Sequence, residues 1–373
     1  MIHLQALKQI LSAYLLMMAL GQAWCHAAPG DVDTLDVGIA DGIVFATTPQ
    51  PDGKTIIAGS FNSVQNVART NIARLNADGT LDVGFSPAVN NTIYSVTLQN
   101  DGKILIGGSF TYVGQTSRKH LVRLNIDGTL DTGFNPDLNN IVLNMVLQPD
   151  GRILLGGGFT TVSGNTRNHL ARLETDGSLD QNFNPNLSSW PTTMILQNDG
   201  KILIGGWFNS VGGIGRSHIA RLATDGSVDM GFSPSAESTI FCLGIEADGS
   251  ILMGGGFTQI NGIGRNRMAR VSRNGVLDNN FNPNLDKAVY SMSQQADGSI
   301  LLGGEFTMVG GTTRNHVAKI SNNGAADTSF NPNVNQTVYC LTQQNDGKVL
   351  IGGNFTQIGT TARKGFAQLL NNP

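Results

Sequence analysis

The stretch Asp101-Gly102-Lys103-Ile104-Leu105-Ile106-Gly107-Gly108-Ser109-Phe110 sets the architecture of this chain. It holds a tight-turn signal, a short apolar strand, a glycine pair and a phenylalanine. The pattern closes on Phe61, Phe110, Phe159, Phe208, Phe257, Phe306 and Phe355, spaced by 49 residues every time. A second series with the same spacing runs Phe85, Phe134, Phe183, Phe232, Phe281 and Phe330. Thirteen of the 16 phenylalanines fall in these two series, which marks both as core positions. A fixed period of this length is the signature of a repeat architecture.

One unit reads as four strands. Ile93 to Leu98 is strand A and Ile104 to Phe110 is strand B. Leu121 to Asn125 is strand C and Leu130 to Phe134 is strand D. Asp101-Gly102 and Asp127-Gly128 separate A from B and C from D, because Asp and Gly tolerate the backbone that a hairpin turn needs. Four short strands per unit predict a propeller blade, and seven units predict an all-β, seven-bladed β-propeller over residues 31–373. The last unit stops after its strand C. An orphan segment, Thr34-Leu35-Asp36-Val37-Gly38, precedes the first unit and resembles Thr80-Leu81-Asp82-Val83-Gly84. A ring closed by this amino-terminal strand explains both ends and hides the sheet edges.

The residues of this unit resemble the delta-sixty repeat family, a β-propeller repeat of unknown function common in exported bacterial proteins. The resemblance rests on the stretch quoted first, then Arg123-Leu124-Asn125, Asp127-Gly128-Thr129-Leu130-Asp131 and Phe134-Asn135-Pro136. It implies a propeller and carries almost no chemistry. Lys319 and Gln368 replace the strand C arginine in the last two units, which puts its pairing there in question.

Residues 1–27 differ from the rest. Lys8 precedes an apolar run from Ile10 to Leu20, and small residues follow. The run is too short to span a bilayer as a stable helix, so it reads as a signal peptide cut after Ala23 or Ala27. The expected location is secreted, periplasmic or cell-surface, with no membrane span after cleavage. The net charge of −3 gives no basic footprint for nucleic acid. Cys242 and Cys340 stand two repeats apart, beyond disulfide reach, and read as small buried residues.

Alternating strand direction puts every Asp-Gly turn on one rim and every long B–C loop and D–A crossover on the other. Function favours longer loops on a rigid scaffold, so the long-loop rim is the candidate face. It carries Arg69, Arg118, Arg167, Arg216, Arg265, Arg314 and Arg363, with Arg267 beside them. These could attract anionic groups, or each could tie down its own loop. His120, His169, His218 and His316 occupy one repeat position, too far apart to share a metal ion. No metal, cofactor or catalytic motif is expected.

Repeat four departs most from the pattern, with Trp190 and Trp207 at positions that are small or aliphatic in most other units. A two-residue turn would pair Trp190 with Asn209 and Thr192 with Trp207, leaving both indoles near the long-loop rim. The candidate ligand-binding residues are therefore Trp190, Trp207, Arg216, Arg265 and Arg267. The expected function is an extracytoplasmic binding or interaction module for a glycan, a peptide, a protein or an anionic group. A propeller lyase or hydrolase with its site at the pore, and a self-associating surface protein, are the alternatives.

Overall fold

The computed structural model describes residues 28–371; the signal-peptide segment lies outside them. Each repeat forms a three-stranded antiparallel sheet, as in Ile93–Leu98, Ile104–Gly108 and Leu121–Leu124, paired in that order. Seven such sheets follow one another among the described residues, and no helix interrupts them. Consecutive inner strands adjoin, and so do the first, Gly42–Pro49, and the last, Val338–Gln343. Thr47 and Thr342 share a hydroxyl hydrogen bond of 2.8 Å across that junction.

The expected fourth strand is reduced to one bridge. Leu130 bridges Leu124, and the chain turns at once, with the Phe134 N–H donating to the Asp131 carbonyl. The cause is Asp131 itself. Its Oδ1 accepts from the Gly133 N–H at 3.1 Å, while Oδ2 accepts from Lys103 and Arg123, both at 2.8 Å. An aspartate that caps a turn cannot continue a ladder. The long loop, in turn, holds a two-residue hairpin, Tyr112–Val113 with Thr116–Ser117. Val89, on the crossover, bridges Val113 of that hairpin.

The amino-terminal segment reaches the last repeat, three residues earlier than its sequence suggested. Val32 bridges Leu369, and the Asp33 N–H donates to the Gln368 carbonyl. Asp33 takes the place that Asp82 holds in the first repeat, pairing with Lys348 at 2.6 Å. Asp36 imitates the local turn, accepting from the Gly38 N–H at 3.1 Å, and pairs with Arg363 of the last repeat at 3.3 Å.

Each core lies between two sheets. Phe85 is fully buried with Ile56, Ala58 and Ile72 of its own repeat and Val89, Ile93, Ile104 and Ile106 of the next. Burying one such side chain contributes about 1.5–3 kcal/mol. Two glycines show what the packing requires. A side chain on Gly128, at φ +90°, would strike the Phe85 ring at 2.8 Å. One on Gly108 would lie 2.2 Å from the Thr92 carbonyl, where a bulge between Ile93 and Ser95 brings the strands together.

On the turn rim one clamp recurs. Arg74, Arg123, Arg172, Arg221 and Arg270 pair with Asp82, Asp131, Asp180, Asp229 and Asp278 of their own repeats at 2.8–2.9 Å. Each guanidinium sits 4.4–4.6 Å over the following phenylalanine ring. Each also donates to a turn carbonyl of the next repeat, as Arg123 does to Thr175 at 2.8 Å. The later departures change the partner. Lys319 pairs with Asp297 at 3.4 Å, and the Gln368 amide donates to Gln344.

The clamp fixes how stability responds to acid. The hydrogen bond from Lys103 leads in lowering the Asp131 carboxyl to about 2, with Arg123 assisting against burial. Burial opposes the same shift at Asp229, but Lys201, the Gly231 N–H and Arg221 outweigh it and hold that group at about 2. Carboxyls lowered in the folded state add stability above the unfolded value of about 4 and lose it as pH falls toward their own. The urea midpoint should therefore hold steady down to about pH 4 and drop toward pH 2. Asp131→Asn should show a shallower drop; a midpoint flat over this range would contradict the clamp.

Candidate functional site

One repeat position near the start of each inner strand, the second residue in six strands and the fourth in Gly42–Pro49, stands at the long-loop end. In five repeats it is aromatic: Phe45, Tyr94, Phe241, Tyr290 and Tyr339. All five are half-buried. They form an unbroken arc, with ring centroids 5.5 Å apart for Tyr94–Phe45, 5.2 Å for Phe45–Tyr339, 5.5 Å for Tyr339–Tyr290 and 5.0 Å for Tyr290–Phe241. Leu143 and Thr192 hold the remaining two positions.

Glu305 lies against this arc. It accepts a hydrogen bond from the Tyr290 hydroxyl at 2.9 Å. Burial and that carboxylate both push the Tyr290 hydroxyl above its ordinary range, so the phenol keeps its proton. Burial, then the charge of Glu305, shifts Tyr339 the same way. Glu305 forms no ion pair among the described residues.

Trp190 and Trp207 stand on repeat four, one of the two repeats without an arc aromatic, and they are closer than a two-residue turn would set them. A bulge between Pro191 and Thr193 shifts the register, so that Pro191 faces Gly206. The Trp207 N–H donates to the Trp190 carbonyl at 2.9 Å, which makes the two residues direct partners. Trp207 is 57 % exposed and Trp190 38 %. The Trp190 indole covers Gly158 of the preceding repeat, where an added side chain would meet Cζ2 at 3.0 Å.

Arg216 and Arg265 are placed elsewhere. Both are buried, at 9 % and 7 % exposure. Arg216 donates to the Gly215 carbonyl at 2.8 Å and Arg265 to that of Gly264 at 2.7 Å. Arg265 also donates to the Asp278 carbonyl and Asn279 Oδ1. These groups anchor the long loop to the segment after strand C. Arg267 donates to the Gly256 carbonyl, at the repeat position that Trp207 and Glu305 occupy. The histidines do the same work: Nδ1 of His120, His169, His218 and His316 lies 2.9–3.2 Å from a glycine carbonyl of strand B. Burial lowers the pKa of His120, His169 and His316. Among the described residues no cluster of His, Cys, Asp and Glu is set to hold a metal ion. Cys242 and Cys340 are free thiols.

The opposite rim carries grooves between neighbouring turns. One of about 510 Å³ lies between repeats four and five, lined by Lys201, Arg221, Glu246 and Arg273 among others. Its charged lining belongs largely to the clamp and its flanking turns.

The aromatic arc was missed in the sequence, although its signal was there. Two of the three phenylalanines outside the main series and three of the five tyrosines share one repeat position.

Fold and repeat together define a β-propeller built from one small unit. The family model for a domain of unknown function (DUF5122) β-propeller matches residues 50–85, 99–134, 148–183, 197–232, 246–281, 295–330 and 344–372. The chain belongs to this family, with seven repeats. No curated protein matches it. Among solved structures it is similar to the WD40 β-propeller domain of Doa1, at 14 % identity and a TM-score of 0.61, covering 92 % of this chain and 95 % of that one. It is also similar to virginiamycin B lyase from Staphylococcus aureus, at 14 % identity and 0.57, covering 91 % and 98 %. A streptogramin B lyase gives 15 % identity and 0.54, covering 91 % and 97 %. At these identities the likeness is one of fold alone.

The two indoles should separate in their cost. Trp190→Ala uncovers Gly158 and should lower stability by about 1–3 kcal/mol. Trp207→Ala should stay within about 0.5 kcal/mol of the parent. Urea denaturation checks both, and equal losses would contradict this placement.

Proposed function

We propose that this protein is an exported binding module. Its ring is closed by the amino-terminal segment, and its ligand seats at the aromatic mouth of the channel on the long-loop rim. Export rests on the character of residues 1–27, and closure on the Val32–Leu369 bridge with its flanking hydrogen bonds. One observation carries the site. Five aromatic side chains, Phe45, Tyr94, Phe241, Tyr290 and Tyr339, gather at one end of the inner strands, where nothing in the repeat demands them, and Trp190 and Trp207 stand at the same rim on repeat four. Half-buried rings on a rigid frame offer apolar faces at little entropic cost, while tyrosine hydroxyls and indole N–H groups still make hydrogen bonds. Glycan rings and peptide side chains both suit such a surface. Near-identical blades supply copies of a surface rather than an assembled set of unlike catalytic groups, so binding is the reading favoured over catalysis.

The test is a screen of the mature chain on glycan, peptide and small-molecule arrays, with hits remeasured on Tyr339→Ala and Trp207→Ala. Affinity should fall at least about tenfold in one or both variants, a loss of about 1.4 kcal/mol. Hits that bind both variants as tightly as the parent would place the ligand elsewhere.

A further inference from the structure

We propose that the mouth selects a ligand carrying an organic ammonium group, seated against the aromatic arc with Glu305 as its counter-charge. The inference rests on the mouth being the binding site and names the chemistry of what binds there.

Three repeat positions line this end of the inner and middle strands: those of Trp190, Thr192 and Trp207. Across all seven repeats Glu305 is the only carboxylate at these positions, and no lysine or arginine occupies them. Its equivalents are Ser60, Ser109, Gly158, Trp207, Gly256 and Asn354, so the repeat does not require an acid there. A carboxylate drawn partly out of water is costly unless it is partnered. Tyr290 supplies one hydrogen bond. No Lys or Arg forms an ion pair with Glu305 among the described residues. Arg267, at the repeat position that His316 holds beside Glu305's strand, is engaged with the Gly256 carbonyl, and Arg314 of the same repeat as Glu305 with the Thr313 and Asp327 carbonyls. Lys287, Asp286 and His316 belong to the same repeat as Glu305. Asp286 is committed to Thr307 and the Met308 N–H, and His316 Nδ1 to Gly304.

The rings supply the rest of the site. Neighbouring planes are inclined by 56°, 49°, 38° and 55° around the arc. Blades of a seven-fold propeller are related by one seventh of a turn, about 51°. Rings lying flat across the opening would be nearly parallel; only rings standing along the axis show the full angle. The rings therefore stand along the axis, stacked against one another at 5.0–5.5 Å, and leave the mouth uncapped. Aromatic faces carry negative charge density and attract a cation within about 6 Å of the ring centre. An ammonium group meets both demands of the site, the unpaired carboxylate and the aromatic wall. A neutral sugar would meet only the second.

The experiment is a calorimetric or NMR titration of the mature chain with choline, and with its neutral isostere 3,3-dimethylbutanol. Choline should bind with a dissociation constant of about 1 mM or tighter, and the isostere at least about tenfold more weakly. Glu305→Gln should weaken choline at least about tenfold and leave the isostere unchanged. Tyr339→Phe, which keeps the ring, should stay within about twofold of the parent, while Tyr339→Ala should not. No binding of choline, equal binding of the isostere, or an unchanged Glu305→Gln variant overturns the proposal. A neutral array ligand that is lost in Tyr339→Ala but unmoved in Glu305→Gln would overturn the ammonium inference and leave the mouth standing as the site. Array ligands indifferent to Tyr339→Ala and Trp207→Ala would remove both.

Discussion

Everything in this protein depends on how one small sheet grips the next. A three-stranded sheet of 15 or so residues cannot bury its own faces, so each repeat borrows half of its core from a neighbour. The grip is an arginine that does three things at once. Arg172 pairs with buried Asp180, lies over the Phe183 ring and donates to the Thr224 carbonyl of the following repeat. Pairing a buried charge offsets its desolvation only when the remaining donors are also satisfied, and here they go to the ring and the neighbouring turn. The clamp also ends strand D after a single bridge, because its aspartate turns inward to meet the arginine.

Placing the clamp on the turn rim divides labour between the two ends of the molecule. That rim is occupied by charge pairs, tight turns and phenylalanine edges, each needed in every repeat. The long-loop rim is held by buried arginines and loop histidines bonded to backbone carbonyls. Its hairpins are fixed, and the residues between them at the channel mouth are released from structural duty. Variation collects there: five aromatic residues, a leucine and a threonine at one position, and an acid or an indole at another.

The amount legible in the sequence follows the same division. The period, the two phenylalanine series and the Asp-Gly turns could be read because each recurs at a fixed place, with only Asn274 and Asn323 replacing a turn aspartate, and each has one local cause. Strand D could not, since the aspartate that stops it is held inward by Lys103, 28 residues away, as well as by Arg123 and the Gly133 N–H. The register of Trp190 failed because a bulge leaves no mark beyond a glycine in the opposing strand. Arg216 and Arg265 looked like a charged surface because a sequence records charge and not burial. The aromatic arc is harder to read because its position is aromatic in only five repeats, with Leu143 and Thr192 in the other two, and no local pattern marks it.

The central claim is that the clamp holds the fold while the arc does not. Urea denaturation of Arg172→Met and Tyr339→Ala, measured side by side, tests it most directly. Arg172→Met leaves buried Asp180 with only the more distant Arg152, at 3.9 Å, and should lose about 3–5 kcal/mol. Tyr339→Ala gives up two tilted ring contacts worth about 0.5–1.5 kcal/mol each, and its loss should stay clearly below that of Arg172→Met. If Tyr339→Ala unfolds the protein as readily as Arg172→Met, the arc is part of the core and the account of the mouth as a free, ligand-facing surface is wrong.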